Sequence, residues 1–176
     1  MNKLSNTKFG IKKKTRTEIS QLVNKYYKEA KKCKKAKAYL SGCIMVGSAF
    51  ESVLMLAIDC YEEEALLSNK APKRNNSIKP LLEWSLFDLL NVASDINLLP
   101  SNLSKDSDWD DAKAEIGDYG KLIQEMRNCV HPSRYIQVFP KKKIKKHFLN
   151  SCFEILDTSI DYLAHKIEES IMNNKK

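Results

Sequence analysis

Residues 125–134, EMRNCVHPSR, place two arginines and a histidine within eight positions of a chain that has only four arginines and three histidines. A guanidinium is always charged and binds phosphate or carboxylate oxygens through its fork of N–H groups. An imidazole titrates near pH ~6.5, so it can accept or donate a proton under physiological conditions. The residues of this chain best suited to chemistry are therefore Arg127, Asn128, His131 and Arg134.

Helical spacing brings the central cations of this segment together. A core-type stripe recurs every three or four residues, at Ile116, Tyr119, Ile123, Met126 and Val130. Arg127 lies four residues beyond Ile123 and His131 four beyond Arg127, so the two share one edge of the predicted helix. Pro132 ends that helix, which places His131 at the negative end of the helix dipole. A purely structural interpretation also accounts for the segment, because helix C-termini favour cations.

The helix that carries these residues must belong to a larger core. A chain of 176 residues forms one domain without metal or disulfide staples. The five cysteines, at positions 33, 43, 60, 129 and 152, include no Cys-x-x-Cys pair, and the first residues, MNKLSNTKFGIKKK, contain no apolar signal segment. We therefore expect a cytoplasmic protein with reduced thiols.

Positive charge is concentrated at the start of the chain. Residues 1–37 contain 13 lysines or arginines and two acids, a net charge of +11, and the remaining 139 residues sum to −3 because the whole chain carries +8. Such a block is commonly a solubilising tail and a solvated helix face, and the alternative is a phosphate-binding surface. We assign residues 1–14 to a basic tail, 15–172 to one helical domain and 173–176 to a frayed tail.

The apolar periodicity predicts an all-α fold, a compact bundle of about five helices. The first helix is expected to begin near Thr15, whose spacing to Glu18 is that of a capping box. Its inward stripe would be Ile19, Leu22, Val23, Tyr26, Ala30 and Cys33, with Lys28, Lys31, Lys32 and Lys35 on the outer side. The last helix, after Pro140, carries a wide apolar face that suits packing against two neighbours, or one neighbour and a partner chain.

Residues 38–58 predict the most buried helix, because Glu51 is the only charge among them. The segment is long enough to span a bilayer, but its glycines, serines and Glu51 favour a central helix of a bundle, without a membrane. A carboxylate in such a helix needs a cation or hydrogen-bond donors to offset its desolvation. We therefore expect Glu51 to have a partner, and Arg127 is the candidate.

A third helix is predicted from Pro80 through Leu81, Leu82 and Ser85 to the LLPSN segment at residues 98–102. The acids Asp106, Asp108 and Asp110 that follow resemble a calcium loop, but Asp111 and Gly117 stand where that loop needs Gly and Glu. They are better explained as charges at the start of the fourth helix. The histidines and cysteines have no zinc spacing, no glycine-rich phosphate loop is present, and no Ser/His/Asp arrangement is legible. We expect no metal and no cofactor.

The order of these parts resembles the HEPN superfamily, compact helical domains associated with nucleic acid processing. The resemblance covers roughly residues 20–170 and depends on the GSAFESVL helix, the leucine-rich helix ending LLP, and RNCVHP at a helix end. The hallmark of that family is an Arg, commonly followed by a polar residue, with a His several positions later. Arg127, Asn128 and His131 match these roles, with a shortened interval of three residues between Arg and His.

The resemblance implies metal-independent RNA cleavage, in which the 2′-hydroxyl of the RNA attacks the adjacent phosphodiester. His131 would transfer protons, Arg127 would stabilise the phosphate charge, Asn128 would orient the substrate or His131, and Arg134 would be an outer phosphate contact. The resemblance also implies a homodimer with two motifs facing each other. An antitoxin or another protein partner fits the same class. The alternative is a noncatalytic helical binding or scaffold domain, since a shared fold does not establish an activity.

Overall fold

Three long helices make up most of the chain that the structure describes. This computed structural model describes residues 11–99, 133, 136–137 and 144–173. In chain order the α-helices are α1 (Lys13–Lys35), α2 (Tyr39–Cys60), α3 (Glu62–Leu67), α4 (Leu86–Asp95) and α5 (Lys146–Asn173). A 3-10 helix (Leu81–Glu83) and a hairpin of β1 (Lys73–Arg74) and β2 (Ser77–Ile78) lie between α3 and α4. The predicted all-α bundle is confirmed.

Helix α2 is the centre of the bundle, as its composition predicted. Eleven of its residues are buried, including Phe50, Leu54 and Ile58, and it contacts α1, α4 and α5. It is also the one helix of the described residues that is long and apolar enough to cross a membrane. Length and composition alone give weak support to a membrane span, because the core helix of a soluble bundle has the same properties.

Contacts along the helices define their relative directions. The backbone N–H of Ile11, just before α1, donates to Asp59 Oδ1 near the end of α2 at 2.9 Å, so α1 and α2 are antiparallel. Gly42 lies against Leu149 near the start of α5, and Tyr61 Oη donates to the carbonyl of Lys166 near its end. Helices α2 and α5 are therefore parallel, and their N-termini lie at the same end of the bundle as the C-terminus of α1.

The capping box predicted at Thr15 does not form. The helix begins at Lys13, two residues before the expected position, its N-cap is Lys12, and no side chain caps it. Ile11 is 7% exposed and joins the hydrophobic core, so the core includes a residue that was assigned to the basic tail. The inward stripe is otherwise as expected, with Ile19 and Ala30 buried and the remaining members half-buried. A tertiary contact thus determines this helix start in place of the local capping signal.

The predicted third helix is too long at both ends. Residues 81–83 form a 3-10 helix, and α4 starts only at Leu86, where Ser85 and Asp88 form a reciprocal capping box. It ends at Asp95, before the LLPSN segment where its end was expected. Trp84 interrupts the helix, since it is 3% exposed and its indole N–H donates to the carbonyl of Lys79 at 2.9 Å. Leu82, expected on the inward face, is 57% exposed.

The last helix packs as its sequence predicted. Six residues of its apolar face are buried in the described structure, namely Leu149, Cys152, Phe153, Ile155, Leu156 and Leu163, and Phe148, Ile160, Tyr162 and Ile167 are half-buried. The width of this face follows from the two neighbours it meets, α1 and α2. Packing against two helices requires a broader apolar stripe than a two-helix seam does.

Candidate functional site

The residues first singled out by their chemistry lie outside the described residues. These are Arg127, Asn128, His131 and Arg134, together with the acids proposed to begin the fourth helix. Glu51 is described: it lies on α2, is half-buried, and takes part in an interaction, so its carboxylate is not isolated. Its proposed pairing with Arg127 stays a prediction.

A concave surface lined by five lysines is a positively charged feature of the described chain. It has a volume of about 530 Å³ and lies at the end of the bundle where α1 ends and α2 and α5 begin. We call it the lysine pocket, and its described lining consists of Lys31, Lys34, Lys35, Lys37, Tyr39 and Lys146. The lining includes five cations and an aromatic ring, so the pocket is suited to an anion.

The turn between α1 and α2 places Lys37 in this pocket through an uncommon backbone conformation. Lys37 N–H donates to the carbonyl of Lys34 at 3.2 Å, and Ala38 N–H donates to that of Cys33 at 2.9 Å. These two bonds form a Schellman motif, whose left-handed residue is usually glycine. Here that residue is Lys37, with φ of 59°. A side chain at a left-handed position costs conformational energy, and such strain is often kept where function needs the residue.

Two helix N-termini add to the positive potential of the pocket. Helix α2 begins at Tyr39 and no side chain caps it, and helix α5 begins at Lys146; both of these residues line the pocket. The first turn of an α-helix presents backbone N–H groups without helical acceptors and the positive end of the helix dipole. Together with the lysines, these groups form a setting in which anions are stabilised.

Aromatic rings hold two of the pocket lysines in position. The Lys31 ammonium lies 4.3 Å from the centroid of the Tyr27 ring, and the Lys34 ammonium lies 5.5 Å from that of Phe153. The two rings pack edge to face with centroids 5.4 Å apart, which joins α1 to α5. Cation–π contacts orient the ammonium groups without neutralising them. Their charge therefore remains available to a ligand.

Among the described residues, none of the five pocket lysines forms an ion pair with a carboxylate. The neighbouring Lys32, outside the pocket, does pair with Glu29 at 2.7 Å, and this hydrogen bond raises the pKa of Lys32. Like charges that share a concave surface repel one another, which an external anion would relieve. Other described lysines, such as Lys25 and Lys28, also lack an ion pair, so the pocket differs from an ordinary solvated helix face in bringing five lysines to one concavity.

The described residues also form an apolar groove and a pair of buried thiols. An apolar groove of about 240 Å³ lies between α1, α2 and α5, with Val53 and Ile160 among its lining residues. Cys43 and Cys152 are buried with their sulfurs 3.9 Å apart, and the four cysteines of the described residues are free thiols. No group of three or more metal-ligating side chains occurs within the described chain.

Sequence reasoning identified two pocket lysines only as members of the outer face of α1, namely Lys31 and Lys35. It did not bring Lys37, Tyr39 and Lys146 to the same place, because residues more than a hundred positions apart meet only in the folded bundle. A signal was available: a basic run precedes each of two apolar helices, KKAKAY before α2 and KKKIKK before α5.

Comparisons with known proteins give no match: no family model, no curated protein and no solved structure is similar to this chain.

Proposed function

We propose that this chain is an RNA-directed helical protein that binds the phosphates of RNA in its lysine pocket. The observation that carries the proposal is the convergence of five lysines without carboxylate partners in the described structure on one concave surface of about 530 Å³. RNA is the expected class of ligand because its charge is carried by phosphate groups, which lysines and helix N-termini bind well. Tyr39 adds a ring on which an unpaired base can stack.

The catalytic part of this proposal assigns RNA cleavage to Arg127, Asn128 and His131. His131 takes the proton of the 2′-hydroxyl, the resulting oxygen attacks the adjacent phosphorus, and the bond from phosphorus to the 5′-oxygen breaks. The leaving oxygen is protonated, so the products are a 2′,3′-cyclic phosphate and a 5′-hydroxyl. Arg127 stabilises the charge that develops on the phosphoryl oxygens. Arg134 and Glu51 are proposed to support the site, and a homodimer would bring two motifs together.

Binding is tested first, with a fluorescently labelled single-stranded RNA and anisotropy measured over a series of salt concentrations. The double variant Lys34→Gln/Lys37→Gln should weaken binding and make the logarithm of affinity less dependent on that of salt concentration, by about 0.7 for each lysine. The matched control is Lys70→Gln/Lys73→Gln, which removes two exposed lysines outside the pocket. Equal loss in both pairs would mean that net charge, and not the pocket, explains binding.

Cleavage is tested separately with EDTA present, by incubating the same RNA with the wild-type protein, His131→Ala and Arg127→Ala. Loss of cleavage in both variants, with unchanged circular dichroism and melting temperature, supports the endoribonuclease. RNA retention without cleavage by the wild-type protein supports the alternative, a noncatalytic binding domain. The outcome separates the two forms of the proposal because binding at the lysine pocket is measured independently.

A further inference from the structure

We propose that the lysine pocket recognises a terminal phosphomonoester of an RNA strand in preference to its internal phosphodiesters. This inference rests on the proposed function and specifies which phosphate the pocket selects. A terminal monoester carries a charge of about −1.5 to −2 at pH 7, whereas each internal phosphodiester carries a single negative charge. A strand end therefore presents more negative charge at one point than any position within the strand.

The arrangement of the pocket lysines matches a concentrated charge. Lys35 ends α1, Lys37 lies in the turn, and Lys146 begins α5, so the cations come from three parts of the chain and meet on one concavity. A surface that tracks an internal strand would instead present cations in a row along its path. Convergence of this kind favours a ligand whose charge is gathered at one end.

Lys37 provides an independent argument for this site. Its position in the Schellman motif at φ of 59° is one that glycine occupies without strain, yet the chain has a lysine there. Lys37 is one of the residues that line the pocket. A strained conformation that adds one more cation to four others is expected where the ligand carries more than one negative charge.

Tyr39 offers a ring on which the base next to the terminal phosphate can stack. It is half-buried as the first residue of α2, and its side chain lines the same concavity as the lysines. A ring beside a phosphate site suits the base of the terminal nucleotide, because stacking on an aromatic side chain does not depend on base identity. The pocket volume of about 530 Å³ lies within the range of small-molecule sites, so one terminal nucleotide is a suitable occupant.

The test uses the full chain, with Arg127→Ala and His131→Ala introduced together to prevent cleavage. One short single-stranded RNA is compared in three forms, with a 5′-phosphate, with a 3′-phosphate and with both ends hydroxyl, and a free nucleoside monophosphate serves as competitor. We expect a phosphorylated end to bind about tenfold more tightly than a hydroxyl end. The 5′ and 3′ forms identify the preferred end. The competitor reports whether the nucleotide alone suffices.

The pocket variants make the outcomes distinguishable. Lys34→Gln/Lys37→Gln should abolish the preference for a phosphorylated end, and Lys70→Gln/Lys73→Gln should retain it. If all RNA forms bind equally and all lose affinity in the pocket variant, this inference is overturned and the proposed RNA binding stands. If RNA binding is insensitive to the pocket lysines, both the inference and the proposed function fail.

A pH series gives a second readout. The second ionisation of a phosphomonoester has a pKa near ~6, so the advantage of a phosphorylated end should shrink as the pH falls from 7 to 5. The charged and titratable groups that face the ligand in the described lining are the five lysines and Tyr39. His147 is next to Lys146 in sequence, so the series is repeated with His147→Gln. A pH-independent preference in that variant contradicts recognition of the dianion.

Discussion

The strained lysine of the α1–α2 turn permits a substitution with opposite effects on stability and binding. Lys37→Gly replaces a side chain at φ of 59° with the residue that adopts this conformation freely. A residue with a side chain is destabilised by ~1–2 kcal/mol in a left-handed conformation, and glycine removes this strain. The greater conformational freedom of glycine in the unfolded chain offsets ~0.5–1 kcal/mol of that stabilisation. We expect a net stabilisation of ~0.5–1 kcal/mol, since Lys37 is exposed and loses little packing.

The same substitution removes one of five cations from the lysine pocket. A charge-assisted contact to phosphate contributes ~1.5 kcal/mol or less at an exposed site, so RNA affinity should fall about three- to tenfold at low salt. For a chain of this length, the stability gain corresponds to a rise in melting temperature of about 1–4 °C. Thermal unfolding by circular dichroism and RNA anisotropy on the same preparations measure both effects.

Two control substitutions separate the effect of losing a pocket charge from the effect of relieving backbone strain. Lys35→Gly removes a neighbouring pocket lysine from the last helical residue of α1, where glycine lowers helix stability, so affinity and melting temperature should both fall. Lys37→Asn removes the same charge as Lys37→Gly but relieves less strain, because asparagine tolerates the left-handed region, as Asn75 and Asn97 do in this chain. A Lys37→Gly protein that melts no higher than wild type, or binds RNA equally well, refutes this reasoning.

Three further substitutions test the packing of the bundle. Gly42→Ala would place a Cβ atom 2.6 Å from Leu149 Cδ2, so it should lower the free energy of unfolding, measured by urea denaturation, by ~1–2 kcal/mol. In a Leu149→Ala background the same substitution should raise that free energy by ~1 kcal/mol, because alanine favours a helix more than glycine does. A change of the same sign in both backgrounds would contradict the clash. Asp59→Ala removes the buried carboxylate that accepts a hydrogen bond from Arg16 Nε–H at 2.6 Å, and it should lower the free energy of unfolding by ~2–3 kcal/mol in the same assay. A loss below ~1 kcal/mol would mean that this contact does not anchor α1. The hydrogen bond to the Cys43 thiol, together with burial, raises the pKa of Cys152. The stability that the protonated Cys152 thiol contributes is therefore fully present below the pKa of a thiol in the unfolded chain, ~8.5, and is progressively lost as the pH rises above that value. Cys152→Ala should therefore flatten the decline of unfolding free energy between pH 8.5 and 10 relative to wild type, and an unchanged slope would argue against that origin.

The helices that the sequence predicted well are those whose burial is encoded locally. The apolar composition of α2 and the broad stripe of α5 specify which residues face the core, and the structure confirms both. The start of α1 was not predicted correctly, because it depends on the hydrogen bond between Ile11 and Asp59, two residues that are 48 positions apart in sequence. The hairpin between α3 and α4 was also missed, although Asn75 and Asn76, both at positive φ, are typical of a tight hairpin turn.

The lysine pocket could not be predicted from periodicity, because it depends on the relative direction of helices. Helical spacing assigns Lys31 and Lys35 to the outer face of α1 but does not show what lies opposite them. Lys146 reaches them only because α5 runs parallel to α2, so that both helices begin beside the end of α1. An antiparallel α5 would have placed Lys146 at the other end of the bundle. The sequence shows the lysines, but only the topology shows that they meet in one pocket.

The topology also separates the cations at the start of α1 from the lysine pocket. Ile11 is anchored beside Asp59, at the end of the bundle opposite the pocket, and α1 has 23 residues, a length of about 34 Å at ~1.5 Å per residue. This distance exceeds the Debye length of ~8 Å at physiological ionic strength several times over. Lys12 and Lys13, where the chain enters α1, are therefore not expected to substitute for the pocket lysines at that salt concentration unless the RNA itself spans both ends. Lys12→Gln/Lys13→Gln should consequently lower nonspecific affinity while leaving any effect of Lys34→Gln/Lys37→Gln intact, and loss of that effect when the two pairs are combined would show that the two regions act as one surface.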